Sequence, residues 1–134
     1  VKGTDTETDT PLINIPAANF TNSITYTIPK WNNFLVSLES QYVFEQTRFP
    51  DNIEVFSPEQ QENVILDINT PPDAYHLLSL NTEASFTLKN KNDLTVGLTA
   101  SNLLNTNYRD YLNRQRYFVD DMGRNISLRL IFNY

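Results

Sequence analysis

The sequence predicts an all-β chain of about five antiparallel strands, forming a segment of a transmembrane β-barrel that is incomplete alone. Three observations predict it. Apolar and polar residues alternate along five stretches, short and long connections alternate between those stretches, and aromatic residues gather at their two ends. Period-two alternation gives a strand one apolar and one polar face. Alternation alone leaves two destinations for the apolar face, a soluble core or lipid.

The first strand is expected near 18–28, where Phe20, Ile24, Tyr26 and Ile28 alternate with Asn19, Thr21, Ser23, Thr25 and Thr27. In the second, near 34–46, Phe34, Val36, Leu38, Tyr42 and Phe44 alternate largely with polar residues. The third, near 76–88, sets Leu78, Leu80, Ala84, Phe86 and Leu88 against Ser79, Asn81, Glu83, Ser85 and Thr87. The fourth, near 94–101, sets Leu94, Val96, Leu98 and Ala100 against Thr95, Gly97, Thr99 and Ser101. In the fifth, near 125–134, Ile126, Leu128, Leu130, Phe132 and Tyr134 share a face, and only Ile131 breaks the pattern. Glu39, Glu45, Glu83 and Arg129 all fall on polar faces. In a barrel they would line the lumen, where charges stay hydrated or paired.

The connections sort by length. "PKWNN" and "KNKND" read as tight turns, whereas a polar segment from Thr47 to Asp73 and a second from Asn102 to Gly123 read as long loops. Short turns on one side and long loops on the other match an outer-membrane barrel. A soluble sandwich shows more, shorter strands at closer turn spacing. With the short turns taken as the periplasmic side, Tyr26, Trp31, Phe34, Phe86, Phe132 and Tyr134 fall near it. Phe20, Tyr42, Phe44 and Tyr75 fall near the other, and aliphatic residues fill the middle. That distribution is an aromatic girdle.

Composition excludes several functions. The 134 residues suit one domain and carry a net charge of -6. The pI of 4.6 and the lack of a basic cluster argue against nucleic acid. Without cysteine, and with His76 as the lone histidine, neither thiolate nor multi-histidine metal sites are available. The acids Asp51, Glu54, Glu59, Glu62, Asp67 and Asp73 match no calcium-loop spacing and read as a solvated loop. A mean hydropathy of -0.43 is compatible with a barrel, half of whose strand residues face a polar interior.

Five strands do not close. Single-chain bacterial barrels have about eight strands or more, and an open edge in hydrocarbon leaves backbone groups unsatisfied. The abrupt start at Val1, with no signal peptide, is expected of a fragment of a longer chain.

Several motifs then occur in a telling order. Asn102, Leu103, Leu104 and Asn105 are followed by Tyr108, Arg109 and Asp110, then by Gly123 and Arg124, then by a last strand ending in an aromatic residue. Upstream, Pro11, Leu12, Ile15 and Pro16 precede the first strand. The stretch resembles the C-terminus of a TonB-dependent outer-membrane receptor. It departs from the family in ending on Tyr134, where Phe is commoner. The resemblance implies the C-terminal strands of a plugged barrel of about 22 strands in the bacterial outer membrane. It also implies active uptake of a scarce nutrient: a siderophore, metal complex, haem or oligosaccharide. The partners implied are outer-membrane lipid, the remaining strands and plug of the same receptor, and an inner-membrane TonB-type energy-transducing complex acting through the plug. No bond is made or broken, so no catalytic residue, cofactor or metal site is expected. Leu128, Leu130, Phe132 and Tyr134 would form the strand that the barrel-assembly machinery recognises.

Tyr108, Arg109, Tyr111, Arg114 and Arg116, with Tyr117 and Phe118, cluster in the last long loop. They could meet an anionic or aromatic ligand through cation–π or bidentate contacts. The blander reading, which takes precedence, pairs them with Asp110, Asp120 and Asp121 to anchor the loop. Two other functional classes stay open: a soluble all-β binding domain, and a subunit of an oligomeric outer-membrane pore.

Overall fold

The computed structural model describes residues 2–88 and 92–134. The chain divides into two compact units. A loop unit holds residues 2–18, 43–75 and 108–121, and a sheet unit holds the described parts of 19–42, 76–107 and 122–134.

The sheet unit is built on five strands: β1 (Asn19–Ile28), β2 (Phe34–Val43), β5 (Tyr75–Thr87), β6 (Asp93–Ser101) and β7 (Asn125–Asn133). The terminal residues Val43 and Tyr75 belong to the loop unit. The sheet order is β1-β2-β5-β6-β7, an open sheet with β1 and β7 as its edges. The expected second strand ends at Val43, so Glu45 lies outside it. Tyr134 follows the last residue of β7. The expected turn "KNKND" falls largely on residues 89–91, which lie outside the described residues. Beside it, the Leu88 N–H donates to the Asn92 carbonyl (2.7 Å). Between β1 and β2, Asn32 and Asn33 take φ of 55° and 53°. Asparagine is among the few residues with a side chain that visit this left-handed region readily.

Register sorts the faces row by row. Phe86, Leu94 and Phe132 are aligned across β5, β6 and β7, followed by Ala84, Val96 and Leu130, then by Thr82, Leu98 and Leu128, then by Leu80, Ala100 and Ile126. The alternate rows are polar apart from Ile131: Ser85, Thr95 and Ile131, then Glu83, Gly97 and Arg129, then Asn81, Thr99 and Ser127. On that side Thr25 bonds Ser37 (2.8 Å) and Ser85 bonds Thr95 (3.1 Å). The apolar rows are not a core. Ile24 is 75% exposed and Leu128 65%, and among the described residues the buried apolar side chains are only Tyr75, Ala100 and Tyr111. Burying one such large apolar side chain contributes about 1.5–3 kcal/mol, so this face leaves a large driving force unused.

The loop unit corrects the expectation of an irregular 47–73 segment. It contains an antiparallel hairpin, β3 (Ile53–Ser57) and β4 (Glu62–Leu66), with Val55 opposite Val64. Its turn closes by a bond from the Gln61 N–H to the Ser57 carbonyl (2.8 Å). Strands of five residues, crossed by acids at 54 and 62, are too short for alternation to stand out in sequence. Near the start of the unit, Asp5 and Thr10 pair through their backbone (2.9 Å), and Gly3 packs under Leu12 and Ile15. An added Cβ at Gly3 would lie 3.0 Å from Leu12. The Pro11–Pro16 motif is thus held in place, and the Gln46 amide donates to the Ile15 carbonyl (2.7 Å).

Candidate functional site

The 108–121 loop is tied to itself by its own acids. Asp121 is its hub: one carboxylate oxygen accepts from the Asp110 N–H (2.7 Å), the other from the Asn113 amide (2.8 Å), and its own N–H donates to the Tyr108 carbonyl (2.8 Å). Asp110 accepts from the Leu112 N–H (2.7 Å) and from the Tyr75 hydroxyl (2.8 Å). Asn113 caps a short 3₁₀ turn, Arg114–Tyr117, by accepting from the Gln115 N–H (3.0 Å). An Asx side chain offers this bond readily, which is why it favours helix starts.

The aromatic residues of the loop pack inside it. Tyr75 and Tyr108 rings lie 4.6 Å apart at 36°. This corrects the placement of Tyr75 in an outer girdle: it is buried and bonded to Asp110, and its odd position on β5 lies off the apolar rows. Burial, with the charges of Asp121 and Asp110 added to it, holds the Tyr108 hydroxyl above its ordinary pKa.

Of the two readings for the loop residues, the geometry sorts them individually. Tyr111 is 5% exposed and Arg116 6%. The Arg116 guanidinium lies over two rings, 4.4 Å from Tyr111 and 4.6 Å from Tyr117. It donates to the carbonyls of Tyr111 and Ile68 and to the Tyr117 hydroxyl, and that hydroxyl donates to the Ile68 carbonyl. Arg109 pairs with Asp120 (2.5 Å) and donates to the Arg116 carbonyl (2.8 Å). Arg114 is exposed, with no ion pair to a described residue. A cleft of about 290 Å³ in this unit is lined by Asp67, Thr70, Arg109, Arg116 and Tyr117.

In the sheet unit, the asparagines at 102 and 105 have structural roles. Asn102 is 4% exposed with φ 49°. Its amide donates to the carbonyls of Thr106 (2.9 Å) and Met122 (3.3 Å), and its oxygen accepts from the Thr106 N–H (2.9 Å). Asn105, with φ 52°, accepts from the Arg124 N–H (3.0 Å). A Cβ on residue 123 would lie 3.1 Å from that same Asn105 oxygen, which is a reason for Gly123. The asparagines therefore fasten the residues after β6 to those before β7. Sequence reading singled out these positions by resemblance without a role for them, and a left-handed asparagine leaves no periodic signal.

The expected lumen-facing residues separate. Glu83 and Arg129 share the polar face and pair at 2.6 Å. Glu39 is exposed at the same parity as Ser37, whereas Glu45 lies in the loop unit. Leu128, Leu130 and Phe132 share the exposed apolar face, and the Phe132 and Tyr134 rings stack at 6.4 Å. His76 bonds Ser40 (2.8 Å), with its ring 6.2 Å from Tyr42.

Compared with protein-family models, with curated proteins and with solved structures, the chain has no match.

Proposed function

We propose that this chain supplies five transmembrane strands, by resemblance the C-terminal ones, to a plugged outer-membrane receptor for active uptake of a scarce nutrient. One observation carries the reading: an open five-stranded sheet keeps a large apolar face exposed while its other face is polar and internally bonded. In water such a face drives association. In lipid it is matched, and the polar face lines a hydrated interior. The edges β1 and β7 pair with the remaining strands of the barrel, which removes their unpaired N–H and C=O groups. The long connections, which contribute residues 43–75 and 108–121 to the loop unit, are the segments with which a receptor captures its ligand. Uptake needs no bond chemistry in this segment, and energy reaches the ligand through the plug from an inner-membrane TonB-type complex.

The test is the behaviour of residues 1–134 alone. The chain is expected to aggregate in detergent-free buffer and to gain protease-resistant β-structure in detergent micelles. A monodisperse, cooperatively unfolding monomer in water overturns the reading in favour of a soluble β-domain.

A further inference from the structure

We infer that the loop unit carries a binding site for a small solute bearing one carboxylate, in the cleft lined by Asp67, Thr70, Arg109, Arg116 and Tyr117. Its volume of about 290 Å³ lies at the lower end of small-molecule sites.

Arg116 is the centre of the site. Its guanidinium is buried, yet among the described residues no carboxylate lies within ion-pair distance of it. Two carbonyls, one hydroxyl and two ring faces orient it, and Nε has no hydrogen-bond partner. Neutral acceptors fix a guanidinium but do not cancel its charge, and an uncompensated buried ion is costly. The cleft is where a counter-charge reaches it.

Arg109 supplies the contact. Its Nε is taken by Asp120 and its Nη1 donates to the Arg116 carbonyl, while Nη2 has no partner among the described residues. Arg109 is balanced by Asp120, which leaves Arg116 as the cleft's guanidinium without an ion pair among the described residues. Asp67 also sets selectivity. One of its oxygens accepts from the Asn52 amide (3.0 Å); the other can accept from a hydroxyl on the solute and repels a second negative charge. A hydroxy-monocarboxylate fits this lining better than phosphate does, and a planar carboxylate matches the guanidinium fork. The site lies within the loop unit, so its failure leaves the membrane reading untouched.

The experiment titrates sodium lactate, with inorganic phosphate as comparison, into the full 134-residue chain in detergent micelles, followed by NMR amide shifts. Saturable shifts are expected at Thr70, Arg109 and Tyr117, with weaker binding of phosphate. Arg109→Gln is expected to weaken lactate binding about tenfold. Asp120→Asn, which releases Arg109 from its ion pair, is expected to strengthen it. The Asp121 amide reports loop folding separately, and Arg109→Lys, which keeps the charge but loses the fork, replaces any variant that unfolds the loop and is expected to bind more weakly than the parent chain. Absence of saturable shifts, equal binding of phosphate, parent-like lactate binding by Arg109→Gln or Arg109→Lys, or a failure of Asp120→Asn to strengthen binding overturns the inference.

Discussion

Arg129 and Glu83 pair across an intervening strand: Arg129 Nη2 lies 2.6 Å from Glu83 Oε2, and Gly97 occupies the register position between them. Residues two strands apart are separated by roughly 9–10 Å at the backbone. The arginine must therefore lie flat over β6, and the glycine leaves it room. A Cβ at 97 would sit 3.5 Å from Arg129 Nε and 3.7 Å from Nη2.

Those distances are ordinary van der Waals contacts, so Gly97→Ala is expected to keep the pair. Gly97→Leu is expected to break it. The pair is largely exposed, with side-chain exposures of 65% and 40%, so its coupling energy is expected to be below about 1 kcal/mol. A double-mutant cycle with Glu83→Gln and Arg129→Gln, run in both glycine backgrounds, measures it. A coupling retained in Gly97→Leu would contradict the crossing.

Neighbouring positions on β2 test the two faces. Under the proposed membrane reading, Leu38→Arg is expected to lower the folded yield of the complete receptor in liposomes far more than Ser37→Arg. An arginine turned to lipid near the midplane costs roughly 2–4 kcal/mol, whereas one on the polar side stays hydrated. Equal yields would remove the assignment of faces.

Asn102 combines a left-handed φ of 49° with three side-chain hydrogen bonds. Asn102→Gly keeps the backbone and loses the bonds, a cost of roughly 1–3 kcal/mol. Asn102→Ala loses both and is expected to cost more, because alanine is strained at this φ. Urea unfolding of the two variants in micelles, with hydrogen exchange at the Thr106 amide, gives the order. The reverse order would show that backbone strain plays no part.

Alkaline pH is expected to loosen the 108–121 loop. The Tyr108 hydroxyl has a folded pKa above its ordinary value of about 10, so folding favours its neutral form. That contribution is complete below the unfolded pKa and is lost as pH rises through the folded one. Near-ultraviolet tyrosinate absorbance and loop proteolysis followed together above about pH 10 should rise in step. Tyr108→Phe should remove the part of the proteolysis response that belongs to this residue.

Alternation placed the five long strands because each of them carries nine or more residues of a two-residue period. The pattern also placed Glu83 and Arg129 on one face, since parity along a strand is local information. Their pairing was not legible, because register between β5 and β7 depends on β6 lying between them, and Gly97 reads in sequence only as a missing side chain. The β3–β4 hairpin was hidden for a different reason: five-residue strands contain too few repeats to rise above a polar, proline-bearing segment. The loop residues Tyr108, Arg109, Tyr111, Arg114 and Arg116 were visible as a cluster, but sequence could not divide buried pins from exposed groups. Only folding, by bringing the Tyr111 and Tyr117 rings against Arg116, decided which cation is enclosed. Local periodicity is written into consecutive residues; burial and partnership are created by chain segments that meet from far apart.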